Sequence, residues 1–224
     1  MIKLIAFDWN GTLLADAFTI EAADNKILKF YGLPKINMRR FRETFDIPIS
    51  KYWIALGFGK KHFELHAEEI NRMFCEFYEP LANKCRTRSG AREILKYLNN
   101  QKIKAIIFSN HTTPDIKRQL KRLRIEDYFH SVIARENNKD SSHMYKRGKD
   151  LKLLDYVKQN KLKPHEVITI GDTEEEIEIG KKFGYHTVAI TGGYNTTARL
   201  KKHHPDFLIH NMKELIPIIK KLNH

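Results

Sequence analysis

Apolar and polar positions follow one pattern over the first third of the chain and another over the rest. The run Leu4-Ile5-Ala6-Phe7 is unbroken and stops at Asp8, which predicts a short strand buried on both faces, as in a parallel sheet. Between residues 18 and 85 no strand pattern appears. Ile20, Ala23, Ile27 and Phe30 recur at helical spacing and predict one face of a helix over 20–30, closed by Gly32-Leu33-Pro34. Shorter helices are expected over 38–45 and 49–56, and a long one over 63–78 that Pro80 ends.

From Ser89 onward, strands and helices alternate. A helix over 91–98 leads to the strand Ala105-Ile106-Ile107-Phe108, and a helix over 114–123 leads to the weaker strand Val132-Ile133-Ala134. A polar loop over 135–146 precedes a helix over 150–159 and the strand Val167-Ile168-Thr169-Ile170. A helix over 174–183, a strand over 186–190, an edge strand at Phe207-Leu208-Ile209 and a helix over 212–221 complete the series. Such alternation builds right-handed βαβ units. The expected class is α/β, a Rossmann-like parallel sheet covered by helices on both faces. Residues 1–16 and 86–224 would form this core, and residues 17–85 a helical domain inserted after the first strand.

Composition narrows the setting. The 224 residues are 42% hydrophobic, enough for a sizeable core and too apolar for a disordered chain. No run approaches the roughly 18 apolar residues of a membrane span. Lys3 and Asp8 interrupt the only apolar stretch near the start, so no secretion signal is expected. Two cysteines without a CxxC pair, Cys75 and Cys85, fit a reducing cytoplasm, with Cys75 as a small core residue. The net charge of +13 would draw phosphorylated metabolites, and nucleic acid nonspecifically. Monomer and homodimer both remain open.

The candidate chemistry lies at strand ends. Asp8, Ser109 and Asp172 each follow an apolar run, and in a doubly wound sheet such ends converge on one crevice. Two carboxylates brought together there need a cation, and oxygen-only ligands select Mg²⁺. Taken singly, each residue has a plainer reading. Asp8 could cap a turn, Ser109 a helix, and Asp172-Thr173-Glu174-Glu175-Glu176 could be an acidic first helical turn. Together and in order, Asp8-Trp9-Asn10-Gly11-Thr12, then Ser109, then a lysine before a helix, then Gly171-Asp172 with Glu176, they resemble the four motifs of the haloacid dehalogenase (HAD) superfamily. The likeness spans nearly the whole chain, and the inserted helices are placed like that superfamily's small C1-type cap. Gly32-Leu33-Pro34 and Phe45-Asp46-Ile47-Pro48 further resemble its phosphoglycolate-phosphatase-like branch.

The resemblance implies a Mg²⁺-dependent phosphatase acting on a small phosphate monoester such as phosphoglycolate. Asp8 would be the nucleophile, giving an aspartyl-phosphate. Ser109 and Asn110 would bind the phosphoryl group beside Gly11 and Thr12, and either Lys146 or Lys149 would neutralise developing charge. Asp8, the Asn10 carbonyl and Asp172 would ligate the metal, with Glu176, or Glu175 in its place, holding a metal-bound water. Arg42, in Arg39-Arg40-Phe41-Arg42, would reach the substrate from the cap. Gly192-Gly193-Tyr194-Asn195 would rim the crevice. His62 and His66 sit four apart, a metal-ligand spacing, but read as surface residues.

Asn10 departs from the pattern, which has an aspartate there as general acid and base. An amide transfers no proton, and general acid–base catalysis is worth about 10²–10⁴-fold. Four explanations stand side by side. They are a working phosphatase whose proton travels otherwise, an engineered Asp→Asn change, a silent phospho-ligand or nucleic-acid binder, and a phosphonate-cleaving hydrolase. The last resembles a branch with Trp9 in its first motif and an imine-forming cap lysine, for which Lys51, Lys60 and Lys61 are candidates.

Overall fold

The computed structural model describes residues 1–137 and 144–223, so the middle half of the loop expected over 135–146 lies outside the described residues. Six parallel strands form one sheet in the order β3-β2-β1-β4-β5-β6. They are β1 (Leu4–Phe7), β2 (Lys104–Thr112), β3 (Ser131–Arg135), β4 (Val167–Gly171), β5 (His186–Ile190) and β6 (Phe207–Ile209). β1 shows why a continuous apolar run was needed. Ile5 and Phe7 enter the core on one face of the sheet, while Leu4 and Ala6 enter the core on the other. The first face is covered by α5 (Ala91–Asn100), α6 (Thr113–Leu123) and α10 (Leu215–Asn223), the second by α7 (Lys149–Gln159) and α8 (Glu174–Phe183). The short α9 (Thr197–Lys202) packs Leu200 against Ile177 and Ala189.

Between β1 and α5 lie α1 (Ala17–Phe30), α2 (Met38–Thr44), α3 (Ile49–Ala55) and α4 (Lys60–Ala82), which share an apolar cluster of their own. Phe41, Tyr52, Trp53 and Phe63 are buried there. Tyr194, from the loop after β5, joins the cluster and packs on Phe41 and Phe45, so the sheet's own loop helps seat these helices.

Three expectations are corrected. α4 runs through Pro80 to Ala82, because a proline in the last turn forfeits a single backbone bond and leaves the preceding turns intact. Phe30 is exposed; at 3.6 residues per turn the α1 stripe drifts, and Leu28 takes the inward place. Cys75 is half-buried and faces a cavity, not the core. No described helix is long and apolar enough to cross a membrane.

Candidate active site

β1 is flanked by β2 and β4, with Phe7 in register with Ile107 and Ile170, so the residues that follow these positions meet at one edge. Asp8 and Asp172 therefore leave β1 and β4 side by side, and Ser109, still within the longer β2, lies at the same edge. The chain reverses direction across the sheet between β1 and β4, where open α/β sheets leave a crevice. A cavity of about 170 Å³ opens there, lined at its sheet end by Asp8, Asn10, Ser109, Asn110, Lys149 and Glu176.

Lys149, at the start of α7, is the only buried Lys or Arg among the described residues. Its Nζ lies 3.0 Å from Asp8 Oδ1 and 3.1 Å from Glu175 Oε2, and it also donates to Glu176 Oε1. Burial alone would lower the ammonium's pKa, but Asp8, Glu176 and Glu175 outweigh it and hold Lys149 well above its ordinary value. Asp8 is pushed up by burial and by the charges of Glu176 and Asp172, against the pull of Lys149. Lys146 is exposed and outside the cavity, which corrects that alternative.

Asp172 is buried and held by one side-chain and one backbone donor. Thr12 Oγ1 donates to its Oδ1, and the Tyr194 N–H donates to its Oδ2 at 2.7 Å. Burial, then the Glu176 charge, raises it to about 7. A Cβ built on Gly193 would lie 2.1 Å from Asp172 Oδ2, and one on Gly11, whose φ is +73°, 2.2 Å from the same atom. Both glycines are thus required by the close approach of this carboxylate. Gly193→Ala should destabilise the protein by about 1–3 kcal/mol, the usual cost of overpacking, read as a lower denaturant midpoint at constant m-value.

Other expected contacts go elsewhere. Gly11 and Thr12 do not line the cavity; the Gly11 N–H donates to Asp16 Oδ1 at 2.7 Å, and Thr12 positions Asp172. Arg42 does not line it either. Its guanidinium ties α2 to the carbonyls of Gly193 and Gly192 at 2.8 and 2.9 Å. Glu176 caps α8, accepting from the Thr173 N–H at 3.1 Å and the Thr173 hydroxyl at 2.6 Å, so both of its oxygens are engaged within the protein. The acidic-turn reading therefore holds for Glu176 and does not extend to Asp172. Ser109 is not a helix cap, a role Thr112 takes for α6. Asn110 Nδ2 donates to Glu175 Oε2 at 2.8 Å.

Asn10 belongs to a buried network that the sequence did not announce. Its Nδ2 lies 2.7 Å from both Asp16 Oδ2 and the Tyr78 hydroxyl. Tyr78 and Tyr194 also donate to Asp16 Oδ2, at 2.6 and 2.9 Å. Burial raises the Asp16 pKa in spite of these donors. With both amide hydrogens committed, only Oδ1 of Asn10 is left for a ligand. Trp9 points away, donating to Gln119 Oε1 at 2.7 Å inside the core. Lys51, Lys60 and Lys61 are exposed and do not reach the cavity.

The donor set suits a hard dication. Asp8, Asp172, Glu175 and Glu176 are buried together, with Lys149 beside three of them and the half-buried Arg88 near Asp172, so four carboxyl groups face two fixed cations. Glu175 Oε1 is buried without a partner. Among the described residues the group whose ligand atoms lie within chelating reach of one another is Glu79, His111 and Asp115, where Arg118 pairs with Glu79 at 2.6 Å and Asp115 at 2.7 Å and offsets one of the two carboxylate charges. His62 and His66 stack among Tyr31 and Phe58, and His66 Nδ1 lies 3.2 Å from Glu69 Oε2, but the three are not grouped within chelating reach of one another.

A family model described as haloacid dehalogenase-like hydrolase matches residues 5–190. A protein of Vibrio vulnificus (strain YJ016) named phosphoglycolate phosphatase is 23% identical, with 97% of this chain and 96% of that protein covered. Among solved structures, a haloacid dehalogenase-like family hydrolase from Streptococcus pneumoniae superposes with a TM-score of 0.80 at 20% identity, covering 97% of this chain and 98% of that one. β-Phosphoglucomutase from Clostridium difficile gives 0.75 at 21% identity, covering 100% and 98%. At these identities the superpositions establish the fold.

Proposed function

The chain belongs to the haloacid dehalogenase-like hydrolase family, and from that membership we propose that it is a phosphatase releasing phosphate from a small monoester through a covalent Asp8 intermediate. The observation that carries this reading is Asp8 at the end of β1, paired at 3.0 Å with a buried Lys149 and facing a cavity that Ser109 and Asn110 share. Asp8 Oδ1 is held by Lys149, which leaves Oδ2 to attack phosphorus. The P–O bond to the alcohol breaks with its electron pair on the departing oxygen. Water then attacks phosphorus, phosphate leaves, and the Asp8 carboxylate is restored. Lys149 stabilises charge on the phosphoryl oxygens, and the Ser109 hydroxyl and nearby backbone N–H groups orient them.

Asn10 supplies no proton in this scheme, so solvent water protonates the leaving oxygen. Asp8, Asp172 and the Asn10 carbonyl would hold Mg²⁺, which supplies Lewis-acid polarisation when bound. The helical layer α1–α4 acts as a cap that shields the reacting groups from bulk water. Two free thiols fit a cytoplasmic setting.

The test is phosphate release from a panel of esters, phosphoglycolate included, with and without EDTA, beside Asn10→Asp. The unmodified protein should turn over and EDTA should stop it. A carboxyl at position 10 would lie 2.7 Å from Asp16 Oδ2, where two carboxylates must share a proton. That proton is then available to the leaving oxygen, and kcat on alkyl esters should rise about 10²-fold. Absence of release from both proteins would remove the reading.

A further inference from the structure

The cavity has two unlike ends. Opposite the carboxylates and Lys149, α1, α3 and α4 present Ile20, Trp53, Ile70 and Phe74. The charged residues this layer contributes are Asp24 and Glu79, both acidic; no Lys or Arg of residues 17–85 lines the cavity. Arg42, which the sequence placed on the substrate, is tied to Gly192 and Gly193 instead. At the sheet end, Lys149 is surrounded by three carboxylates, and Arg135 Nε donates to the Asn110 carbonyl at 2.6 Å. The cavity measures about 170 Å³ over both ends, somewhat more than the roughly 150 Å³ that takes up benzene, and the phosphoryl group and the organic part share it.

Asp24 stands out in this wall. It is buried, and the Tyr52 hydroxyl donates to its Oδ2 at 2.6 Å, while Oδ1 has no such partner among the described residues. Burial pushes it up to about 7. A carboxyl among apolar side chains costs stability unless it is hydrogen-bonded on both oxygens, and here the cavity lies on its open side.

Resting on the phosphatase reading, we infer that the preferred substrate is the phosphate ester of an apolar, non-anionic alcohol bearing a hydrogen-bond donor that meets Asp24. The ester's organic part fills the space against Ile20, Trp53, Ile70 and Phe74. Within residues 17–85 the wall offers a substrate carboxylate only charges of its own sign; of the other described lining residues, Lys149 and Arg135 are cationic, Lys149 meeting three carboxylates and Arg135 held on the Asn110 carbonyl. Phosphoglycolate is therefore a poor substrate.

The test compares kcat/KM for 2-phenylethyl phosphate, its para-aminomethyl derivative and phosphoglycolate. All three release an aliphatic alcohol, so leaving-group acidity does not decide the order. Both aryl-bearing esters should exceed phosphoglycolate by about 100-fold or more, with the amine-bearing one fastest. Asp24→Asn should narrow the ratio between the amine-bearing ester and its parent. Phosphoglycolate turning over as well as the aryl-bearing esters would overturn the inference and leave the phosphatase reading standing. An unchanged ratio in Asp24→Asn would overturn the role of Asp24. No release from any of the three would remove both readings together.

Discussion

Asp8→Ala protein is expected to release no measurable phosphate, a loss of at least about 10⁴-fold, while folding as before. The two halves of that expectation have separate causes. Lys149, Ser109 and Asn110 still surround the substrate in the variant, yet no oxygen remains to form the bond to phosphorus. The fold should survive because Asp8 is held above its ordinary pKa by burial and by its neighbours Glu176 and Asp172, so its removal relieves repulsion. Lys149 keeps Glu175 and Glu176 as partners. Phosphate release and thermal midpoint, measured on one preparation, check both halves. Turnover above about 1% of the parent with an unchanged midpoint would mean that another group attacks phosphorus.

The sheet was legible because a buried parallel strand is apolar along most of its length, admitting a polar residue such as Thr169 or Thr187 where it finds a hydrogen-bond partner. β1, β2, β4 and β5 announce themselves as runs, and a polar residue at the end of each run marks the crevice. What stayed hidden depends on how the helices seat against the sheet. The hydroxyl of Tyr78 reaches Asp16 across 62 positions and that of Tyr194 across 178, separations at which no local pattern speaks. Lys146 and Lys149 differ by less than one helical turn, so only the start of α7 decides which side chain is buried. Arg42 is expected at the substrate from its charge and its place in the inserted helices, and neither says whether a guanidinium meets a ligand or a backbone carbonyl.

The same seating explains Asn10. An aspartate at that place would stand beside Asp16 with Tyr78 and Tyr194 already donating to the same oxygen, whereas an amide adds a donor to the network. The substitution therefore fits its surroundings electrostatically, whatever it costs in proton transfer. Tyr78 comes from α4 and Tyr194 from the loop after β5, so the network also fixes the helical layer over the site.

Lys149→Met should combine two losses that can be separated. Removing the cation that faces the phosphoryl oxygens should lower kcat by about 10²–10⁴-fold. It also leaves Asp8, Glu175 and Glu176 buried with no ammonium among them, and breaking a buried pair in this way costs about 3–5 kcal/mol. The stability loss carries a pH signature. Asp8 and Glu175 already lie above their ordinary values in the parent, burial being the leading cause, and loss of Lys149 removes the positive charge that lowers both. A folded-state pKa above the unfolded value of about 4 means that the folded protein binds the proton more tightly. The variant should therefore come closest to the parent's stability in acid and fall away as pH rises through the raised values toward neutrality and beyond. Denaturant midpoints of parent and variant across about pH 5 to 8 read this out, because the gap must widen with pH. A constant gap would mean that these carboxyls do not depend on Lys149. Lys149→Arg separates the two losses, since it restores the buried charge without placing it as a compact ammonium between Asp8 and Glu176; stability should recover more fully than kcat.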